Sequence, residues 1–421
     1  MTTFGAGRLD LRKGDCLEIM DSLAPNSVDS IVCDPPYHLL SAVKRFGGAN
    51  AAAAKEGTDG LLARASRGFM GKEWDGGDIA FRPETWAKAF RVLKPGGHLV
   101  AFSAPRCQHR MVCAIEDAGF EIRDGLMWLF GMGFPKSLDV SKAIDKDAGF
   151  WRGRAGSVTI AEQHSKGTEY ERTDKGDPIT ADATKWAGFG TALKPAYEPI
   201  CLARKPIEGT VAANVLAHGV GALNIDGCRV ESTEVWAGRD LPNAKDGVTW
   251  GGTLNASSSS SSHPLGRWPA NIVTDGSEEV VSMFPSSKSS QRMGILGEFS
   301  GQDDVTRGHD DSGSAARFFY SAKASKHDRA NSKHPTVKPV SLMRWLCKLV
   351  TPPGGLVLDP FAGSGTTGAA AHLEGFRAIL CECEAEYQID IENRLRELCG
   401  EDPPWLSIET PPWLKLREAA E

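Results

Sequence analysis

Leu356-Val357-Leu358 reads as a buried strand that runs into Asp359-Pro360-Phe361-Ala362-Gly363-Ser364-Gly365. A helix follows over about Thr366 to Leu373, and Arg377 to Cys381 reads as a second strand ending at Glu382. Strand, glycine turn, helix and strand in so short a span are the units of an α/β sheet. Gly363-Ser364-Gly365-Thr366-Thr367-Gly368 fits GxGxxG at a helix start, where backbone N–H groups can approach an anionic or carboxylate-bearing ligand. No Lys follows the glycines, which excludes a phosphate-binding P-loop. Glu382, 17 residues after Gly365, can accept both hydroxyls of a ribose. A dinucleotide and S-adenosylmethionine fit this pair of features equally well.

A second motif lies near the other end of the chain. Val28-Asp29-Ser30-Ile31-Val32-Cys33 is a short β-rich run, and Asp34-Pro35-Pro36-Tyr37 begins where it ends. In open α/β sheets, ligands bind at the carboxyl ends of strands. The exocyclic amine of adenine or cytosine is a poor nucleophile because its lone pair is delocalised into the ring. Two acceptors aimed at its hydrogens favour the pyramidal form. Asp34 can supply one through its carboxylate and Pro35 the other through its carbonyl. The tandem prolines stiffen the turn, and Tyr37 offers a ring face to an extruded base. A dehydrogenase has no need of this set, so the motif favours S-adenosylmethionine over a nicotinamide cofactor.

Net charge is −6, but its distribution matters more than its sum. Residues 317–348 carry eight Lys or Arg against one acid, Asp328, whereas residues 382–421 carry eleven Asp or Glu against four Lys or Arg. The basic stretch is expected to face phosphates. The ten cysteines include no CxxC pair, and Cys381-Glu382-Cys383 places its thiols on alternating faces of one strand, so reduced thiols and no metal are expected. None of the cysteines follows a proline, which argues against a Pro-Cys nucleophile and carbon-5 methylation of cytosine. No targeting signal opens the sequence and no apolar run is long enough to span a bilayer, so a cytoplasmic protein without membrane contact is expected.

Between the motifs, the pattern predicts a mobile lid-like loop over 38–80, a helix from Arg82 to Leu93 stopped by Lys94-Pro95-Gly96-Gly97, and a strand over His98 to Phe102. A helix through Met111 to Asp117 and strands over Phe120–Leu129 and Leu193–Arg204 follow. Residues 141–185 show no periodicity. Residues 207–316 are rich in Gly, Ser, Asp and Asn, include the run Ser257–Ser262, and read as a smaller loop-rich domain. A helix over Val340–Val350 precedes the glycine turn, and the repeated Pro-Pro-Trp-Leu at 403–406 and 411–414 reads as a strap pinning the tail.

With these motifs the chain resembles the β-group of DNA amino-methyltransferases, which carry DPPY first, a target-recognition region next and FxGxG last. Gly14-Asp15-Cys16-Leu17, Arg91-Val92-Leu93-Lys94-Pro95-Gly96-Gly97 and His334-Pro335-Thr336-Val337-Lys338-Pro339 share in the resemblance, the last as a specific family mark. It implies a Rossmann-like, doubly wound mixed α/β sheet with a smaller loop-rich recognition insert. It divides the chain into a catalytic half at 1–206 with a polar insertion at 141–190, a recognition region at 207–316, a cofactor half at 317–400 and a tail at 401–421. Carried over, Asp34, Pro35, Pro36 and Tyr37 hold the target base. Asp359, Phe361, Ala362, Gly363 and Gly365 form the cofactor turn, with Thr366 and Thr367 beside it. Asp15 lies near the cofactor adenine with Cys16 next to it, Thr336 and Lys338 lie near the methionine end, and Glu382 binds the ribose. The implied reaction is direct transfer from S-adenosylmethionine to adenine N6 in double-stranded DNA. Cytosine N4 is the alternative. Methylation of RNA or of a protein glutamine, and a nicotinamide-dependent oxidoreductase, are more distant. A cognate restriction endonuclease and a homodimer are left open, and the setting implied is a bacterial or phage-infected cell.

Overall fold

The structure, a computed structural model, describes residues 2–37, 78–131, 133, 137–152, 172–173, 176–231, 265–288, 292–293, 306–307, 312–322, 325–329, 332, 334 and 336–400. The loop expected over 38–80, apart from its last three residues, the serine run and the tail strap lie outside the described residues. The described residues fall into two compact units, one within Met1–Phe130 and Tyr197–Glu421, the other within Gly131–Ala196.

The larger unit is built on one ten-stranded sheet. Its strands are β1 (Thr2–Phe4), β2 (Leu9–Lys13), β3 (Val28–Cys33), β4 (Leu93–Phe102), β5 (Glu121–Leu129), β6 (Tyr197–Arg204), β7 (Ile272–Thr274), β8 (Tyr320–Ser321), β9 (Leu356–Asp359) and β10 (Arg377–Glu382). Their spatial order is β1-β2-β10-β9-β3-β4-β6-β5-β7-β8. The five strands β2, β10, β9, β3 and β4 run parallel, and β6 runs against β4 and β5. All six residues of β3 are buried, as both faces of a parallel strand are covered. Val32, Val100 and Phe102 pack into one core, with helix α7 (Val340–Val350). Ile31, Cys33, Leu99 and Ala101 pack into the other, with α1 (Cys16–Ser22), α2 (Pro83–Val92) and α3 (Gln108–Asp117). The sheet is a mixed α/β sheet with helices on both faces, as expected.

Chain order reverses between β3 and β9. From β3 the chain proceeds to its neighbour β4, whereas β9 lies on the other side of β3 and proceeds away from it, to β10. Such a switch point opens a crevice at the carboxyl ends of the strands. The carboxyl ends of β2, β10, β9 and β3 are therefore side by side, and they carry Asp15, Glu382, Asp359 and Asp34.

Lys94-Pro95-Gly96-Gly97 follows the helix end as expected, but the strand begins earlier than His98. The helix ends at Val92, and these residues already belong to β4. Gly96 has φ +80°, and a Cβ there would overlap the Asn214 side chain, so the glycine serves a turned strand entry and close packing.

The domain expectation also differs from the compact units. The described residues of 207–316 belong to the larger unit, and β7 from that stretch is a strand of the main sheet. The stretch that forms its own unit is Gly131–Ala196, which contains the aperiodic residues 141–185. It contains α4 (Val140–Asp147) and α5 (Ala181–Lys185), capped by Asp139 and Thr180. Its interior is polar. Asp145 is fully buried and accepts from Ile179 N (3.0 Å), Thr180 N (2.9 Å) and Thr180 Oγ1 (2.8 Å), with Arg152 Nε at 2.8 Å. Asp145→Ala is expected to leave Arg152 as an uncompensated buried charge and to cost this unit about 3–5 kcal/mol. Limited proteolysis should then cut within 131–196 well before the main sheet, and equal protection of mutant and wild type would refute the assignment.

Candidate active site

The glycine turn is held by its neighbours rather than by its own sequence. Gly363 and Gly365 have φ +53° and +75°, and a Cβ on either would lie 3.1 Å from His334 Nε2 or Ile391 Cγ1 respectively. Only glycine takes both conformations at that packing. Helix α8 (Thr366–Leu373) starts directly after it, with Thr366 and Thr367 buried. Asp359 accepts from Phe361 N at 2.9 Å and from the Thr367 hydroxyl, so it ties the strand end to the turn and the helix. Glu382 Oε2 accepts from Gly363 N at 2.7 Å, and its Oε1 accepts from Glu384 N at 2.8 Å. Each oxygen keeps a second lone pair for a hydroxyl donor. Burial pushes both carboxyls up to about 7, against the opposing pull of these donors.

Asp15 follows β2, next to the end of β10, where Gly14 N donates to the Glu382 backbone carbonyl at 2.9 Å. Its carboxylate caps α1, accepting from Leu17 N at 2.7 Å. Cys16 is buried at the first position of that helix, and burial raises its thiol to about 12, so it is a neutral packing residue.

The second half of the crevice is a ring of four side chains. Lys338 Nζ donates to Asp34 Oδ2 at 2.6 Å and to the Tyr37 hydroxyl at 3.2 Å, and it lies 3.1 Å from Glu198 Oε2. The Tyr37 hydroxyl donates in turn to Glu198 Oε2 at 3.2 Å. Burial works against the Lys338 charge, but Asp34 and Glu198 outweigh it and raise its pKa above the ordinary value. Burial, then the two carboxylates, push Tyr37 well above the usual phenol range. Lysine is therefore a cation and tyrosine a neutral phenol. Asp34 Oδ1 is buried and has no hydrogen-bond partner among the described residues.

His334-Pro335-Thr336-Val337-Lys338-Pro339 shapes this ring through its histidine. His334 Nδ1 pairs with the Thr336 carbonyl at 2.6 Å, its ring lies 4.5 Å from that of Tyr387, and its Nε2 is the atom nearest Gly363. The loop thus touches the glycine turn at one end and reaches Asp34 at the other. Lys338, expected from the resemblance among the cofactor residues, is found against Asp34 and Tyr37. Glu198 was missed. Sequence reading placed it in a strand, and only its position at the start of an otherwise apolar run hinted at another role.

The basic stretch also reads differently in three dimensions. Lys338 is in the ring, Arg344 and Lys348 pair with Glu374, Arg317 donates to the Gly313 and Ser314 carbonyls, and Arg329 donates to that of His334. Five of the eight basic residues thus have partners within the protein, with Arg329 still exposed, while the side chains of Lys323, Lys326 and Lys333 lie outside those described. Of the stretch expected to face phosphates, Lys338 is the one basic residue among those described that is buried in the ring.

A family of N6/N4 type, described as DNA methylase, matches residues 28–393, which takes in both motifs and the ring. The chain belongs to that family. Among relatives of this methylase, the type II methyltransferase M.HindIII of Haemophilus influenzae is 27% identical over 85% of this chain and 87% of its own. The DNA adenine methyltransferase YhdJ of Escherichia coli is 48% identical over a shorter stretch, 13% of this chain and 18% of its own. Among solved structures, the M1.HpyAVI–SAM complex aligns over 92% of the methylase and 98% of its own chain, at 15% identity and TM-score 0.38. Among the described residues, no helix is long and apolar enough to cross a membrane.

Proposed function

We propose that this methylase transfers a methyl group from S-adenosylmethionine to the N6 amine of adenine, in a base extruded from double-stranded DNA. The observation that carries the reading is the unmatched Asp34 Oδ1: a buried acceptor at the carboxyl end of β3, whose partner oxygen is already held by Lys338. An amine hydrogen satisfies it, and the Pro35 carbonyl accepts the second. A buried acceptor left without a donor is costly, so the site favours a ligand that brings one.

The cofactor fits the residues present. Gly363 and Gly365 hold the turn in left-handed conformations that favour glycine, and Glu382 at the end of β10 has acceptor capacity for ribose hydroxyls. Asp359, Phe361, Ala362, Thr366 and Thr367 shape the turn, Asp15 and Cys16 flank the adenine, and Thr336 lies toward the methionine end. The cofactor supplies an electrophilic methyl on a sulfonium. The chain's own residues supply position: Asp34 and Pro35 hold the amine pyramidal, Tyr37 stacks on the base, and the crevice excludes water. Holding both reactants in attack geometry provides most of the rate.

The motif order is that of the β-group. Residues 207–316 act as the recognition region, and the enzyme works in the cytoplasm of a bacterial host or phage-infected cell. Digesting DNA from cells expressing the protein and separating the nucleosides by mass spectrometry tests the target: N6-methyladenine is expected. Methylation confined to cytosine N4 would overturn the choice of base and leave the site geometry standing.

A further inference from the structure

We propose that Glu198 is a positioning residue for the transfer, acting through Lys338 and Tyr37 to keep Asp34 Oδ1 open to the amine. The inference rests on the amine-methylation reading above.

A lysine ammonium has three hydrogens and no acceptor. In the ring it donates to Asp34 Oδ2 and to the Tyr37 hydroxyl, and Glu198 Oε2 lies 3.1 Å away as a second carboxylate counterion. Lys338 is pressed between aromatic faces, with Nζ 4.8 Å from the Phe102 ring centroid and 5.4 Å from that of Tyr37, so it has little room to move sideways. Without Glu198 the ammonium would keep Asp34 as its one carboxylate partner among the described residues, beside an oxygen, Oδ1, that carries no hydrogen bond. The least costly adjustment is for the ammonium to bridge both Asp34 oxygens, which closes Oδ1 to the substrate. The Tyr37 hydroxyl would lose its bond to Glu198 at the same time.

The strand has no need of this side chain. Glu198 sits near the start of β6, whose backbone pairs with β5 from Tyr197 to Arg204, and the Glu198 register partner is Trp128. The Glu198 side chain is turned to the ring instead, where Oε2 serves both Lys338 and Tyr37. Because β6 runs against β4, its first residues lie at the same end of the sheet as the carboxyl end of β3. The reversed strand is what brings a carboxylate here.

The test measures single-turnover methylation of unmethylated genomic DNA with saturating S-adenosylmethionine, for wild type, E198A, E198Q, K338M and E198A/K338M. Binding of S-adenosylhomocysteine by calorimetry, binding of the same DNA, and the thermal midpoint are measured alongside. E198A should lower the rate about 10- to 100-fold, the scale of removing one preorganised group, with both dissociation constants within about twofold. E198Q keeps an acceptor oxygen for Lys338 and Tyr37 and should stay within roughly fivefold of wild type. The double variant should be no slower than the slower single, because residues that act as one unit are not additive. Multiplicative losses, a loss that appears in cofactor affinity or thermal midpoint alone, or an E198A rate equal to wild type would each overturn the proposal. A wild type that leaves DNA unmethylated would sink the amine-methylation reading and this inference together, whereas an active wild type with an unaffected E198A sinks only the inference.

Discussion

Replacing Asp34 by alanine should lower methyl transfer by roughly two orders of magnitude or more, the scale seen when a preorganised electrostatic partner is removed. The fold should survive, because Lys338 keeps Glu198 and the Tyr37 hydroxyl as partners. Cofactor affinity should be close to wild type, since Asp34 lies across the crevice from the glycine turn. Asp34→Asn is the more telling variant. An amide has one acceptor oxygen and one donor nitrogen, and Lys338 will claim the oxygen. The NH2 group would then face the incoming amine, donor against donor. A loss close to that of alanine is therefore expected, even though the shapes match. Single-turnover rates with saturating cofactor measure both, and an Asp34→Asn enzyme near wild-type rate would show that Lys338 does not fix which oxygen is presented.

The second large effect concerns Glu382. Glu382→Ala should weaken S-adenosylmethionine binding by about 1.5–3 kcal/mol, roughly ten- to a hundredfold, the worth of a charge-assisted hydrogen bond. Alanine also removes the acceptor for Gly363 N and Glu384 N, so Glu382→Gln is needed to separate turn geometry from charge. The charge has a pH signature. With its carboxyl pushed up to about 7 by burial, Glu382 is largely protonated at pH 6 and ionised at pH 8. Ribose hydroxyls donate to the ionised form, so affinity should rise between those limits and binding should release protons. Stability of the free protein should move the other way. In the unfolded chain the proton leaves near 4.5, while the folded protein holds it to about 7, so the folded state gains stability in acid and loses it as pH rises through that window. Asp359 contributes in the same sense, since burial raises it to about 7 as well. A fall of a few degrees in thermal midpoint between pH 5 and 8 is the expected scale, reduced in Glu382→Gln. Calorimetry in buffers of different ionisation enthalpy gives the proton count, and a pH-independent affinity would remove Glu382 from the ribose site.

What was legible in the sequence was whatever local physics encodes. The strand at Val28–Cys33 and the helices at Val340–Val350 and Thr366–Leu373 match their expected limits, because apolar runs, caps and glycines write those limits into adjacent residues. Lys94 to Gly97 stop the helix as their Pro and Gly signal, and the earlier start of the strand was hidden because Gly96 also serves packing against Asn214. Residues 141–185 were opaque because an ion pair, Asp145 with Arg152, is buried among the described residues there, and such a pair leaves no apolar period. The partners of the basic stretch were hidden because composition counts charges alone. Glu198 was invisible for a related reason: it meets Tyr37 across 161 residues, and no neighbour in the chain marks the encounter.

The chain's first strand and its last described helix are also neighbours. Lys13, at the end of β2, pairs with Glu392 at 2.6 Å, and Thr2 Oγ1 lies 3.5 Å from the same carboxylate; Glu392 belongs to helix α9 (Ala385–Gly400). The two amino-terminal strands are thus tied to helix α9 by side chains. A linker joining Thr2 to the chain that follows α9, with new ends cut between Asp275 and Ser314, would present the cofactor half first and the base-holding half second without moving a strand. Such a circular permutant should keep the crevice between β3 and β9 intact, because the sheet registers side-chain positions and is indifferent to the direction in which a ribosome reaches them.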